Sequence, residues 1–281
     1  MERLTPAQRL RLAGLRAKKS WGQNFLHDAT ITQAIAEAAI AGTPSSTPVL
    51  EIGAGLGDLT ERLLATGRRV VAIERDRDLV PILKARFLGE SLEVIEGNAL
   101  THDLDGGPWA VVGNLPYHIS SRLVFQFLPQ RAQWEKMTIM LQRELADRAA
   151  AFEPGQPGWS SFSAQIARVC DVSWVLDVPP GAFTPPPKVR SAVVQLSPKS
   201  DALEVDEGAV LRDADRGDGD VHVVRRVEHV LEIGVEFQSA LAFHHALEID
   251  GPRVFEGPLV VVAPDACVAR FLADDRGELV Q

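Results

Sequence analysis

Apolar positions in the first 200 residues fall into short runs separated by stretches of helical spacing. Val49, Leu50 and Ile52 make one such run, and the texture returns at 69–74, 92–96, 109–112 and 134–141. Brief apolar, partly β-branched runs bounded by turn formers predict strands. Between them 58–66, 79–88, the R-L-V-F-Q-F-L segment after Ser120, 142–151 and 161–169 repeat their apolar residues at helical intervals, and 29–41 predicts a helix before the first strand. Such alternation predicts an α/β fold with a mainly parallel sheet and right-handed crossovers. Two last strands, 172–178 and 191–196, are joined by a connection too short for a crossover, which predicts an antiparallel edge strand. Gly42 to Pro48 and the Gly/Pro-rich 152–159 read as breaks, and no internal repeat is present.

The turn after the first core strand carries the first chemistry. Gly53, Gly55 and Gly57 stand two residues apart between V-L-E-I and the helical pattern opened by Asp58. Glycine suits a sharp strand-to-helix bend because it takes positive φ and lets a ligand approach the backbone with no Cβ in the way. A dinucleotide site would place its third glycine five residues after the first, but position 58 is Asp and the glycine falls one residue early, which argues against NAD. Glu74 closes the second core strand, where a carboxylate can accept both hydroxyls of a ribose. With Glu51 inside the first, E-x-G-x-G-x-G followed by V-V-A-I-E resembles the S-adenosylmethionine site of Rossmann-like methyltransferases.

Composition narrows the setting. The 281 residues suffice for a full core and a smaller second unit, and no apolar stretch approaches the ~20 residues that span a bilayer. Cys170 and Cys267 lie far apart with no C-x-x-C, so neither a disulfide framework nor a metal site is expected, and a reducing cytoplasmic compartment fits. The net charge of −9 is unevenly spread: residues 201–281 hold 18 Asp and Glu against 7 Arg, which leaves a net +2 on 1–200. Arg3, Arg9, Arg11, Arg16, Lys18 and Lys19 face only Glu2 in the first 20 residues, a density suited to phosphate contacts. That arm shares its Arg/Leu-rich character with organelle presequences, but it has little Ser and runs straight into residues of functional character.

The sharpest chemical signal is Gly113-Asn114-Leu115-Pro116-Tyr117, placed after the fourth strand so that it faces the glycine turn across the crevice of a doubly wound sheet. An exocyclic adenine amine is a poor nucleophile with two N–H groups to give. The Asn114 side-chain carbonyl and a main-chain carbonyl of Leu115 or Pro116 can accept both, while Tyr117 offers a face for an unstacked base. Nearby residues invite other roles. His118 reads as a structural or surface residue, since an N6 cation sheds its proton readily to water. Asp28 reads as a helix cap, and Cys170, with no Pro before it, does not suggest a thiolate nucleophile.

K-K-S-W-G-Q-N-F-L-H-D (18–28), L-E-I-G-A-G-L-G-D-L-T (50–60), I-E (73–74), G-N-L-P-Y (113–117), M-L-Q-R-E-L-A-D-R (140–148) and P-P-G-A-F-T-P-P-P-K-V-R-S-A-V-V (179–194) together resemble the ribosomal RNA adenine N6-dimethyltransferases, over about residues 8–198. The small-subunit type is the closer likeness. The resemblance implies a monomeric enzyme that dimethylates two adjacent adenines near the 3′ end of 16S rRNA in immature 30S particles, with S-adenosylmethionine as donor and no membrane partner. It implies that Asn24 and Leu26 cover the methionine end of the donor, Gly53 and Gly55 lie under it, Glu74 holds the ribose, residue 98 meets the adenine, and Asn114 with Tyr117 holds the target base. It further implies that Phe183 sandwiches that base against Tyr117. Two other readings stay open: the antibiotic-resistance relative acting on large-subunit rRNA, and a non-catalytic assembly factor or RNA-binding remnant.

Two departures stand against the likeness. Asn98 replaces the family's usual Asp, keeping a carbonyl acceptor but losing charge, so weaker cofactor binding is expected. After residue 198 the family's small helical domain with its basic segment is replaced by an acidic region, 199–281. Its last 81 residues contain no Lys, Asn, Thr, Met, Trp or Tyr and one Ser. This restriction to G/C-rich codons suggests a frameshift; a genuine alternative domain is the competing reading, with V-H-V-V-R-R-V and P-L-V-V-V-A as strands. An acidic tail is expected to repel rRNA and so weaken activity.

Overall fold

The computed structural model describes residues 4–199 and, beyond them, the backbone of four short strands. Helix α1 (Pro6–Leu12) opens the chain. The Thr5 side chain accepts from the Gln8 N–H while Gln8 returns a bond to the Thr5 N–H, and Pro6 presets the first turn. Periodicity does not reveal so short a helix, although its cap signal T-P-x-Q is present. Next come β1 (Phe25–Leu26) and α2 (Ala29–Ile40), which Asp28 caps through the N–H groups of Thr30 and Ile31, as its place in the sequence suggests. The repeating part follows: β2 (Val49–Ile52), α3 (Asp58–Leu64), β3 (Val70–Glu74), α4 (Val80–Arg86), β4 (Leu92–Glu96), β5 (Trp109–Asn114), α5 (Ser120–Phe127) and β6 (Trp134–Gln142). Helices α6 (Arg143–Ala150) and α7 (Ser161–Val169) lead to β7 (Cys170–Val178), β8 (Phe183–Thr184) and β9 (Ser191–Pro198).

Seven strands make one sheet in the order β4-β3-β2-β5-β6-β9-β7. The first five are parallel neighbours, and β9 runs antiparallel to both β6 and β7. The antiparallel pairing expected at this edge is there, with one adjustment: the reversed strand is β9, one place in, and β7 forms the rim. Burial explains the order. Ser191 to Val194 are buried at every position, as a strand covered on both faces must be, whereas β7 alternates out to solvent. One face packs Leu50, Val71 and Val111 against Leu123, Val124 and Phe127 of α5 and against α6 and α7; the other packs Val49, Val70 and Val112 against Ile35 of α2 and Leu63 of α3.

The chain leaves β2 for β3 and β4 on one side and returns to β5 on the other, so the carboxyl ends of β2 and β5 diverge around a crevice, where ligands bind in such sheets. Gly113 pairs with Ile52 at that point, and a Cβ on it would stand 2.8 Å from the Ile52 carbonyl oxygen. Only glycine lets the two strand ends meet.

Strands β1 and β8 pair in a two-stranded sheet, and β10 (His222–Arg225), β11 (Leu259–Val262), β12 (Val268–Ala273) and β13 (Leu279–Val280) pair antiparallel in a four-stranded one, so both apolar runs of the tail contain strands. The rest of 200–281, and with it the choice between a frameshifted tail and an alternative domain, lies outside the described residues. Among the described residues no helix is long and apolar enough to cross a membrane, and no group of His, Cys, Asp and Glu could hold a metal ion.

Candidate active site

A cavity of 310 Å³ opens at the carboxyl ends of β2, β3 and β5. Asn24, Leu26, Gly53, Gly55, Glu74, Asn98 and Asn114, all expected at a cofactor, line it, and so do Leu115, Pro116 and Tyr117. Phe183 does not. Its ring is 3% exposed and packs in the core with Leu26, Ile35 and Val193, while its backbone pairs with Leu26. The expected sandwich of the target base between Phe183 and Tyr117 is not formed in this arrangement, where Phe183 packs on Leu26, itself a residue of the cavity wall.

The glycine turn is built as its spacing suggests. Gly53, Gly55 and Gly57 have φ of +74°, +59° and +81°, and a Cβ on Gly57 would stand 2.6 Å from the Phe87 ring. The turn is tied to β3 by Glu74, whose Oε2 accepts the Gly55 N–H and whose Oε1 accepts that of Asp76, both at 2.8 Å. Burial pushes the Glu74 carboxyl up and these N–H groups pull it back in part. With the N–H groups of Asp76, Gly55 and Arg75 against it, the carboxylate still has acceptor capacity left for a ligand. Glu51, 1% exposed, accepts the Thr60 hydroxyl at 2.6 Å, and burial raises its carboxyl to about 7.

Two amides define what the cavity can recognise. The Asn114 Nδ2 donates to the Asn24 carbonyl at 3.1 Å; since that carbonyl only accepts, the Asn114 amide is oriented and its Oδ1 remains an acceptor. The same logic turns Asn98 the other way. Its Oδ1 accepts the Leu100 N–H at 3.2 Å, so what remains is the NH2 donor and one lone pair of the oxygen. The carbonyl acceptor expected of Asn98 is thus half engaged. Of the two main-chain carbonyls in question, that of Pro116 takes the Ser120 hydroxyl and the Ile119 N–H, both at 3.0 Å. The Leu115 carbonyl is the one left to accept.

Tyr117, half-buried, bonds Ser191 Oγ at 2.6 Å; burial raises its pKa, and the bond tethers the ring to the first residue of β9. His118 is exposed and lies beside Gly22. The arm is only partly the expected phosphate-binding surface. Arg9 binds Asp58 and the Leu56 carbonyl, and Lys18 pairs with Asp76 at 2.5 Å and Asp78 at 2.7 Å. Lys18 and Arg75 flank the Trp21 ring at 4.9 and 5.1 Å. Sequence reasoning missed Gln23 and Asp76, which join the arm to β3; only the neighbourhood of Asp76 to Glu74 could have pointed to it.

A seven-stranded, mainly parallel sheet with one reversed strand beside its rim, and a glycine turn closed by an acid from the next strand, define a Rossmann-like methyltransferase that uses S-adenosylmethionine. The chain belongs to the ribosomal RNA adenine dimethylase family, which matches residues 14–211. It is 45% identical over 205 residues to the ribosomal RNA small subunit methyltransferase A of Anaeromyxobacter dehalogenans, covering 67% of this chain and 71% of that one. The protein of the same name from Pseudomonas aeruginosa is 45% identical over 189 residues, with 65% and 69% covered. Among solved structures, a dimethyladenosine transferase from Plasmodium falciparum matches with a TM-score of 0.58 at 35% identity, over 63% of this chain and 64% of that one. The 23S rRNA methyltransferase ErmE also matches at 0.58, with 32% identity over 68% and 75%.

The residues present fit the donor. Positive-φ glycines give the bend three positions without a Cβ, the buried Glu74 keeps acceptor capacity for a ribose hydroxyl, and Ile73, Leu79 and Ala99 give the cavity apolar walls.

Proposed function

We propose that this protein adds two methyl groups to N6 of each of two adjacent adenines near the 3′ end of small-subunit rRNA, as a monomer in the cytoplasm acting on immature subunits. The observation that carries this reading is the oriented Asn114 amide. Asn114 Oδ1 and the Leu115 carbonyl accept the two N–H groups of the purine amine and turn its lone pair out of conjugation. Both bonds strengthen as positive charge grows on nitrogen, so they favour the transition state over the ground state. Tyr117 supports the face of the unstacked base. The donor, when bound, supplies an electrophilic methyl on a sulfonium. Asn24 and Leu26 cover its methionine end, Glu74 takes the ribose, and the proton leaving N6 passes to water.

The small-subunit target is favoured over the large-subunit one by the 45% identity to small-subunit methyltransferases, and by the P-P-G-A-F-T-P-P-P-K-V loop and basic arm. The test is transfer of labelled methyl to undermethylated 30S particles and, in parallel, to unmodified large-subunit rRNA, with the modified nucleosides identified by mass spectrometry. N6,N6-dimethyladenosine confined to small-subunit rRNA is expected. Label only in large-subunit rRNA, or donor binding with no label in either, overturns the reading.

A further inference from the structure

One buried carboxylate joins the two halves of this site without lining the cavity. Asp76, two residues past Glu74 and 1% exposed, accepts Lys18 Nζ at 2.5 Å and the Asp78 N–H at 3.1 Å on one oxygen and Gln23 Nε2 at 2.7 Å on the other. Its own N–H donates to Glu74 Oε1 at 2.8 Å. Gln23 also accepts the Lys18 N–H at 2.8 Å, which closes the loop 18–23 on itself. The next residue is Asn24, whose carbonyl holds the Asn114 amide. A continuous set of bonds therefore runs from Glu74, on the donor side, through Asp76, Gln23 and the Asn24 backbone to the amide that meets the target. The set is tight: burial alone would push the Asp76 carboxyl up, yet its donors outweigh burial and hold it below the ordinary carboxylate range.

We infer that Asp76 is a positioning residue for methyl transfer, fixing the donor pocket through Glu74 and the target-orienting amide of Asn114 through Gln23 and Asn24. The inference rests on the roles proposed above for Glu74 and Asn114. Without Asp76, Lys18 and Gln23 lose their common acceptor, the loop 18–24 gains freedom, and the Asn24 carbonyl no longer stands in one place. The Asn114 amide is then free to turn its NH2 toward the purine amine, where a donor faces a donor. A loosened amide slows transfer even when every donor site is filled, which a loss of fold stability alone does not do.

The test compares full-length wild type with Asp76→Asn and Gln23→Leu. Dissociation constants for S-adenosylmethionine are measured by calorimetry, single-turnover transfer to undermethylated 30S particles is measured at saturating donor, and melting temperatures are recorded alongside. Asp76→Asn is expected to weaken donor binding and to slow transfer, each by roughly tenfold or more, as for loss of a hydrogen bond to a charged group. Both variants keep the main-chain N–H of Asp76 that bonds Glu74, but Gln23→Leu also leaves the Asp76 side chain held by Lys18, so it is expected to slow saturated transfer more than it weakens donor binding. Should Asp76→Asn fail to fold, Gln23→Leu still decides. Folded variants that transfer at the wild-type rate under saturating donor overturn the inference, whatever their melting temperatures. A wild type that transfers nothing contradicts the functional reading instead, and unchanged donor affinity in Asp76→Asn then removes the Glu74 half of the inference.

Discussion

An asparagine side chain is two opposite recognisers on one carbon, so what it can hold depends on which end is already bonded. At Asn114 the nitrogen is engaged and at Asn98 the oxygen is. The second case predicts a gain of function: in Asn98→Asp one carboxylate oxygen keeps the Leu100 N–H and the other becomes an acceptor for the donor's amino group. Calorimetry should then show S-adenosylmethionine bound roughly five- to tenfold more tightly. Weaker binding would place the adenine elsewhere. Glu51 supplies a pH dependence with a definite sign. Its folded value of about 7 exceeds the ordinary 4.5, so the folded chain keeps a proton that the unfolded chain has lost, and stability falls as pH rises between those values. Glu51→Gln, which can still accept the Thr60 hydroxyl, should match wild type in thermal unfolding near pH 5 and exceed it near pH 8, by about 1–3 kcal/mol. An equal difference at both pH values would mean that Glu51 is not held protonated by burial.

At the scale of elements, the site exists because β2 and β5 end side by side, and Gly113 is the residue that permits it. A methyl there meets backbone, not a side chain that can swing away. Gly113→Ala should lower unfolding free energy by about 1–3 kcal/mol in denaturant titrations and lose methyl transfer with it, because Asn114 is the next residue. A fully stable, active variant would show that the strand ends part at little cost. The strands and helices of 29–196 were legible because their apolar periods are long or their turn residues unambiguous; N-L-P-Y and the glycine turn were legible because their chemistry is local. What was not legible depends on partners distant in sequence. Nothing local says that Lys18 and Gln23 meet Asp76, that Phe183 turns inward to Leu26, or that β9 passes inside β7. Helix α1 escaped for a different reason, being too short for a period and visible only by its cap.

At the scale of the whole molecule, charge separates the family-like part from the rest, +2 on residues 1–200 against −11 on 201–281. If the acidic region repels rRNA, a chain ending at Lys199 should bind small-subunit rRNA more tightly than the full chain at low salt, with the gap closing as salt rises past about 0.2 M. Identical salt dependence in a filter-binding comparison would assign the region no electrostatic part. The claim on which the rest depends is that Asn114 presents a fixed carbonyl to a purine amine opposite the donor. Its most direct test is single-turnover transfer of labelled methyl to undermethylated 30S particles by wild type and Asn114→Ala at saturating donor. Loss of about a hundredfold or more in rate, with donor affinity changed far less, is the expected result; an Asn114→Ala protein that methylates at the wild-type rate would contradict it.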